Sequence, residues 1–158
     1  YAAAMFYMFV YTAVSLGGFG MVVLLSRKGF EADNLDDYRG LNQRSPWHAF
    51  MMLLLMFSMA GVPPTAGFYA KLLVIQSAID AGLAWLAVAA VLLSVIGAYY
   101  YLRVVKLMYF DTPADSAPIA GAREFRVLLG VNALAMVAIT PWVGTLIDLC
   151  DHAIRSIA

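Results

Sequence analysis

From Tyr1 to Ser26 the chain carries no charged side chain, and three more long apolar stretches follow it. Crossing the hydrocarbon core of a bilayer takes about 20 residues of helix. Lipid offers the backbone no hydrogen-bond partner, so such a segment must satisfy its own amides and carbonyls as a helix. Four segments reach that length: 1–26, 47–79, 84–110 and 125–148. Each is apolar all round rather than striped, the pattern of a helix with lipid or another helix on every side. The expectation is an all-α integral membrane protein with four transmembrane helices.

Composition agrees. The chain is 63% hydrophobic and 13% charged, whereas a soluble domain is about half apolar and about a quarter charged. Ten Lys and Arg balance ten Asp and Glu, so no basic surplus points to nucleic acid. The single cysteine, Cys150, permits neither an internal disulfide nor a metal cluster. No G-x-x-x-x-G-K loop, metal-ligand cluster or nucleophile–base pair is visible, so neither a metal nor a cofactor is expected on this chain. The opening segment has no initiator Met and no basic stretch before its apolar run, so it does not read as a signal peptide. It reads as the interior of a longer polypeptide.

Polar connections separate the segments. The first, "RKGFEADNLDDYRGLNQRSP", holds a candidate surface helix with Asn34 as N-cap and Asp36 and Asp37 in its first turn. The second, Asp80–Leu83, is a tight turn containing Gly82. The third, "DTPADSAPIAGARE", has the prolines and small residues of a loop. Basic residues mark the cytoplasmic side. Arg27, Lys28, Arg39 and Arg44 lie in the first connection, and Arg103, Lys106, Arg123 and Arg126 flank the third. The second carries only Asp80. Connections one and three are therefore expected in the cytoplasm, and both ends of the chain on the outer, periplasmic side.

The second segment is too long for one straight crossing. Residues 47–79 would make about 50 Å of helix against a core of about 30 Å. "SMAGVPPTAGFYAKL" (58–72) supplies an interruption at Gly61–Gly67. Pro63 and Pro64 remove two backbone donors and clash with the preceding turn. Gly61 and Gly67 allow unusual dihedrals and close approach. The carbonyls freed around Ala60–Val62 need partners that lipid cannot give, and Ser58 and Thr65 are placed to help. Taken alone, Pro-Pro is equally well a structural kink.

Lys71 follows the break by one turn and is the only lysine in the segment. An ammonium at mid-bilayer costs at least about 2.5–3.5 kcal/mol on insertion scales and is a functional candidate by default. The positive N-terminal end of the second half-helix is its expected neighbour. No carboxylate lies in the same segment, so a partner must come from elsewhere or be water. A lysine in such surroundings can act as a proton relay; the alternative is structural glue, paired with a distant glutamate. Ser58, Thr65, Gln76 and Ser77 are candidates for a hydrated path beside it, and Tyr11, Thr12, Ser15 and Ser94 could extend that path or bond helix to helix. His48, beside Trp47, reads as an interfacial residue or a proton-entry group. Gly17, Gly18 and Gly20 suggest close helix packing.

Two stretches together carry a resemblance: "SMAGVPPTAGFYAKL" (58–72) and "GAYYYLRVVKLMYFD" (97–111). The chain resembles the C-terminal third of the N-subunit family of proton-pumping NADH:quinone oxidoreductase, respiratory complex I. The resemblance implies the C-terminal part of a fourteen-helix antiporter-like fold, with 47–79 as the broken helix of its second repeat. It implies a multi-pass protein of the bacterial inner membrane that translocates protons through a relay including Lys71. NADH oxidation and quinone reduction would occur elsewhere in the complex, which would hold FMN, iron–sulfur clusters and quinone; this chain would perform no redox chemistry. Its partners would be the other membrane subunits, the N-terminal part of its own chain and the bilayer. A multisubunit sodium/proton antiporter subunit and a passive membrane scaffold are the competing readings.

Overall fold

The computed structural model describes residues 1–26, 32, 34–113, 119 and 123–156. They form seven helices and two 3₁₀ turns, with no strand among the described residues. Helix α1 is Ala2–Leu25, a 3₁₀ turn covers Leu35–Tyr38, and α2 is the single turn Leu41–Arg44. Then come α3 (Pro46–Ala60), α4 (Ala66–Asp80) and α5 (Ala84–Phe110). Helix α6 (Arg123–Ala138), a 3₁₀ turn (Thr140–Trp142) and α7 (Val143–Arg155) complete the chain.

Helix α3 is the axis of the assembly and packs against α1, α5 and α6. Ala49, Met51 and Leu55 on it are completely buried. Its start is set by Pro46, whose missing N–H costs nothing in the first turn. Helix α1 lies across α3, α4, α6 and α7. Gly17 makes the closest of these approaches possible: a side chain there would overlap Asn132 of α6 and Leu55 of α3. Asn132 uses the space to donate from Nδ2 to the Ala13 carbonyl at 3.0 Å, the kind of inter-helix bond favoured where water is excluded. Gly20 likewise makes room for Leu129, whereas nothing lies near Gly18.

The first and third connections meet at one end of the helices. The capping box expected at Asn34 is present, with the Asn34 N–H donating to Asp37 Oδ2 at 3.0 Å, but it opens a 3₁₀ turn rather than a longer helix. The Gly40 N–H donates to the Leu107 carbonyl at 3.0 Å, and Asp111 accepts from Lys106 at 2.6 Å and lies 3.5 Å from Arg39. At the other end, Gly82 takes a left-handed conformation (φ 76°) and closes the turn between α4 and α5. Arg27, Lys28 and residues 114–118 and 120–122 of the third connection lie outside the described residues.

The segments differ from the sequence reading in one respect. Residues 125–148 are not one straight helix: α6 and the segment from Thr140 to Arg155 meet at 52°. Pro141 explains this, because it cannot donate into the helical ladder and its ring pushes the preceding turn away. By length and composition, α1 and α5 can each cross a bilayer, and the bent α6–α7 pair does so if taken as one span. Helix α3 is a shorter apolar helix. Only 6% of the most apolar window of α5 is buried, so much of this helix is left open to lipid or to another polypeptide, although it packs on α3 and α4.

Candidate functional site

The helix runs out after Ala60 and resumes at Ala66. Gly61 ends α3 in a left-handed conformation (φ 81°). Its N–H donates to the Ser58 carbonyl and the Val62 N–H to the Phe57 carbonyl, the paired bonds with which a glycine closes a helix. Thr65 Oγ1 donates to the Val62 carbonyl at 2.7 Å, and Ser58 Oγ accepts from the Gly67 N–H at 3.2 Å. Gly67 lies so close to α3 that a Cβ there would overlap the Ser58 carbonyl. Ser58 and Thr65 are almost fully buried, at 1% and 2% exposure. Pro63 and Pro64, joined by a cis peptide, face outward.

This closure leaves the carbonyls of Met59 and Ala60 without an amide partner from the helix. Lys71 takes both: its Nζ donates to Met59 at 2.9 Å and to Ala60 at 3.3 Å. The ammonium therefore caps the C-terminal, negative end of α3, not the N-terminal end of α4 expected from the sequence. The reason is steric. A side chain on a helix leans toward that helix's N-terminus, so a long one in the second turn of α4 overshoots its start and reaches the preceding half-helix. Gly61 keeps the route open; a Cβ there would stand 3.1 Å from Lys71 Cδ.

Lys71 also borders two cavities. One, of about 250 Å³, lies between α1, α4 and α5 and is lined by Tyr7, Tyr11, Ser58, Ser94 and Tyr101 among others. It has room for several waters and the polar lining that would hold them. The other, of about 210 Å³, lies between α4 and α5 and shares Lys71 and Ser94. Gln76 and Ser77 are exposed and border neither cavity; Ser77 Oγ donates to the Leu73 carbonyl. Thr12 donates to the Met8 carbonyl on its own helix, and Ser15 borders a separate cavity. Tyr7 was not singled out by sequence reasoning, and Tyr101 was noted only within the run "GAYYYLRVVKLMYFD", not as a neighbour of Lys71. The signal was there: Ser94 and Tyr101 are seven residues apart on one face of α5, and Tyr7 and Tyr11 are four apart on α1, their rings stacked at 6.1 Å. His48 is buried at 5% exposure, with Nδ1 2.6 Å from Ser45 Oγ, while Trp47 is half exposed.

Residues 1–97 match the family described as NADH:quinone oxidoreductase/Mrp antiporter, transmembrane. The NADH-quinone oxidoreductase subunit N of Thiobacillus denitrificans is 62% identical over 154 residues, covering 98% of this chain and 32% of the relative. That of Thioalkalivibrio sulfidiphilus is 57% identical over 154 residues, covering 98% and 32%. Among solved structures, a chain of respiratory complex I from Thermus thermophilus with bound aureothin superposes with a TM-score of 0.81 at 26% identity. The match covers 93% of this chain and 34% of that one. The chain thus spans about a third of the length of the curated relatives it matches.

Proposed function

The chain belongs to the NADH:quinone oxidoreductase/Mrp antiporter transmembrane family, and from that membership we propose that it is the C-terminal part of a proton-translocating subunit N of a bacterial NADH:quinone oxidoreductase. In this reading α3 and α4 form one broken span, so that the chain crosses the inner membrane four times within a fourteen-helix fold, with both ends periplasmic. Redox chemistry, with FMN, iron–sulfur clusters and quinone, belongs to other parts of the complex. The other membrane subunits, the rest of its own chain and lipid cover its exposed helices.

The observation that carries the reading is the pair of hydrogen bonds that Lys71 Nζ donates to the Met59 and Ala60 carbonyls, beside a cavity whose lining includes several hydroxyls. A neutral amine has two N–H donors and a lone pair; an ammonium has three donors and none. Two donors satisfy the carbonyls in either state. The remaining position, lone pair or N–H, is left to the cavity, where it can take up a proton or give one away. Lys71 is then a relay whose protonation changes without breaking the cap of α3. Ser58, Ser94, Tyr7, Tyr11 and Tyr101 would order the waters that deliver the proton.

The test uses the full-length subunit in the whole complex, reconstituted in liposomes, with NADH oxidation and proton translocation followed together. Lys71→Met should leave assembly intact and strongly reduce pumping. Lys71→Arg keeps a charged donor that does not deprotonate, so it should also fail to pump. Rescue by arginine would reduce Lys71 to a structural cap, and normal pumping by the methionine variant would leave only the scaffold reading. Sodium-dependent transport without quinone reduction would favour the antiporter.

A further inference from the structure

A second polar site lies at the basic end of the helices, apart from Lys71. His48 on α3 is 5% exposed, and its Nε2 has no hydrogen-bond partner. Its Nδ1 is engaged by Ser45 Oγ. When the hydroxyl donates, the ring proton sits on Nε2, so the unpartnered edge is a donor. That ring borders a trough of about 390 Å³ whose mouth also carries Arg123 and Arg126 of α6. The two arginines are three residues apart and share a face of the helix. Neither makes an ion pair or a hydrogen bond with another described residue. Glu124 lies about 100° further round the helix from Arg123 and does not turn toward the trough.

Beyond this basic mouth the trough is apolar. Val127, Val131 and Leu134 form its wall along α6, and Trp47 of α3 faces them. Gly130 keeps the floor low, since any side chain there would lie against Trp47 and Met51. From Arg126 to Leu134 the wall runs about 12 Å. Val127, Val131, Leu134 and Trp47 are between 42% and 62% exposed, so the trough is open along one side. Two guanidiniums with no partner among the described residues, at one end of an open apolar trough, complement a phosphate joined to a hydrocarbon chain.

We propose that this trough binds one anionic phospholipid, with its phosphate held by Arg123 and Arg126 and one acyl chain lying along Val127, Val131 and Leu134. The site is independent of the reading of Lys71. The headgroup anchors the lipid at the membrane surface and the chain seals the seam between α3 and α6.

The test labels the full-length protein in its native membrane assembly with phosphatidylglycerol carrying a diazirine on one acyl chain, and maps the adducts by mass spectrometry. Adducts should concentrate on Val127, Val131 and Leu134, and matched phosphatidylcholine should give about tenfold fewer. Arg123→Gln with Arg126→Gln should lose the labelling by a similar factor, and Arg123→Lys with Arg126→Lys should keep most of it. Val131→Trp, which fills the trough and leaves the arginines in place, gives a second route to the same loss if the glutamine pair fails to assemble. Equal labelling by phosphatidylcholine would mean ordinary annular lipid and would overturn the proposal. So would displacement of the probe by millimolar inorganic phosphate, or a photo-crosslinker at Val131 reacting with another polypeptide instead of lipid.

Discussion

Helical runs break off within two apolar stretches of this chain, at Gly61–Thr65 and at Ile139–Trp142, and prolines stand in both. The outcomes differ. At the second, the chain passes through one 3₁₀ turn, the Ile139 and Trp142 amides still find carbonyls at Ala135 and Ile139, and the two helices meet at 52°. Among the described residues no charged side chain bonds to it. At the first, five residues leave the helix, a left-handed glycine closes α3, and the Met59 and Ala60 carbonyls are handed to a lysine. A proline by itself bends a helix. A proline pair together with a glycine that ends the helix exposes backbone acceptors, and only then does a cation have somewhere to bind. The two are also joined: Thr140 Oγ1 donates to the Pro64 carbonyl at 2.8 Å, so the plain bend braces the break that holds Lys71.

That contrast can be broken at several points. The largest effect is expected from Gly67→Val. Its side chain would collide with the Ser58 carbonyl and force α3 and α4 apart, costing about 3 kcal/mol or more. Thermal unfolding of the intact assembly should fall by several degrees, and an unchanged midpoint would mean the half-helices are not held as tightly as described. Gly61→Ala comes next. A residue with a Cβ in the left-handed region costs about 1–2 kcal/mol, and the new methyl would press on the Lys71 chain. Both stability and proton translocation should drop; a stable variant with normal translocation would separate the lysine from its helix cap.

Thr140→Val removes the brace and should cost about 1 kcal/mol, the usual net worth of one hydrogen bond. Its value lies in the transport assay, where a loss larger than that of an equally destabilised variant elsewhere would show that the bend supports the break. Pro141→Ala should do least, within about 1 kcal/mol of the parent, since it restores a backbone donor while relaxing a bend that carries no charge. Spin-label distances between α6 and α7 should lengthen toward a straighter helix. If the bend persists, the bond from Thr140 to Pro64 holds it, not the proline.

Much of this was written in the residues. The apolar runs, the interruption between Ala60 and Ala66, the Asn34 cap and the Gly82 turn are local, set by burial of the backbone and by dihedrals that proline and glycine impose. The same kind of signal, Pro141, stood in the fourth run and was masked by the apolar residues around it. Among candidate site residues, Gly61 and Thr65 lie within the break, and Ser58 and Gly67, on the helices to either side of it, converge there because they are its immediate neighbours. Gln76 and Ser77 diverge from it because a helix turns through 100° per residue, and proximity in sequence does not choose a face.

The sequence by itself determined where most helices form, that one of them is interrupted at the Gly61–Gly67 stretch, and that one lysine follows that interruption by a turn. Only the tertiary structure decided what that lysine touches. Its reach back to Met59 and Ala60 depends on α3 and α4 meeting at Gly67, and its tyrosine neighbours come from α1 and α5, far away along the chain. The same holds for His48, whose burial beside two arginines depends on α6 packing on α3. Local dihedrals and hydrophobicity are read one residue at a time, whereas a polar contact between helices exists only once packing has fixed which faces meet.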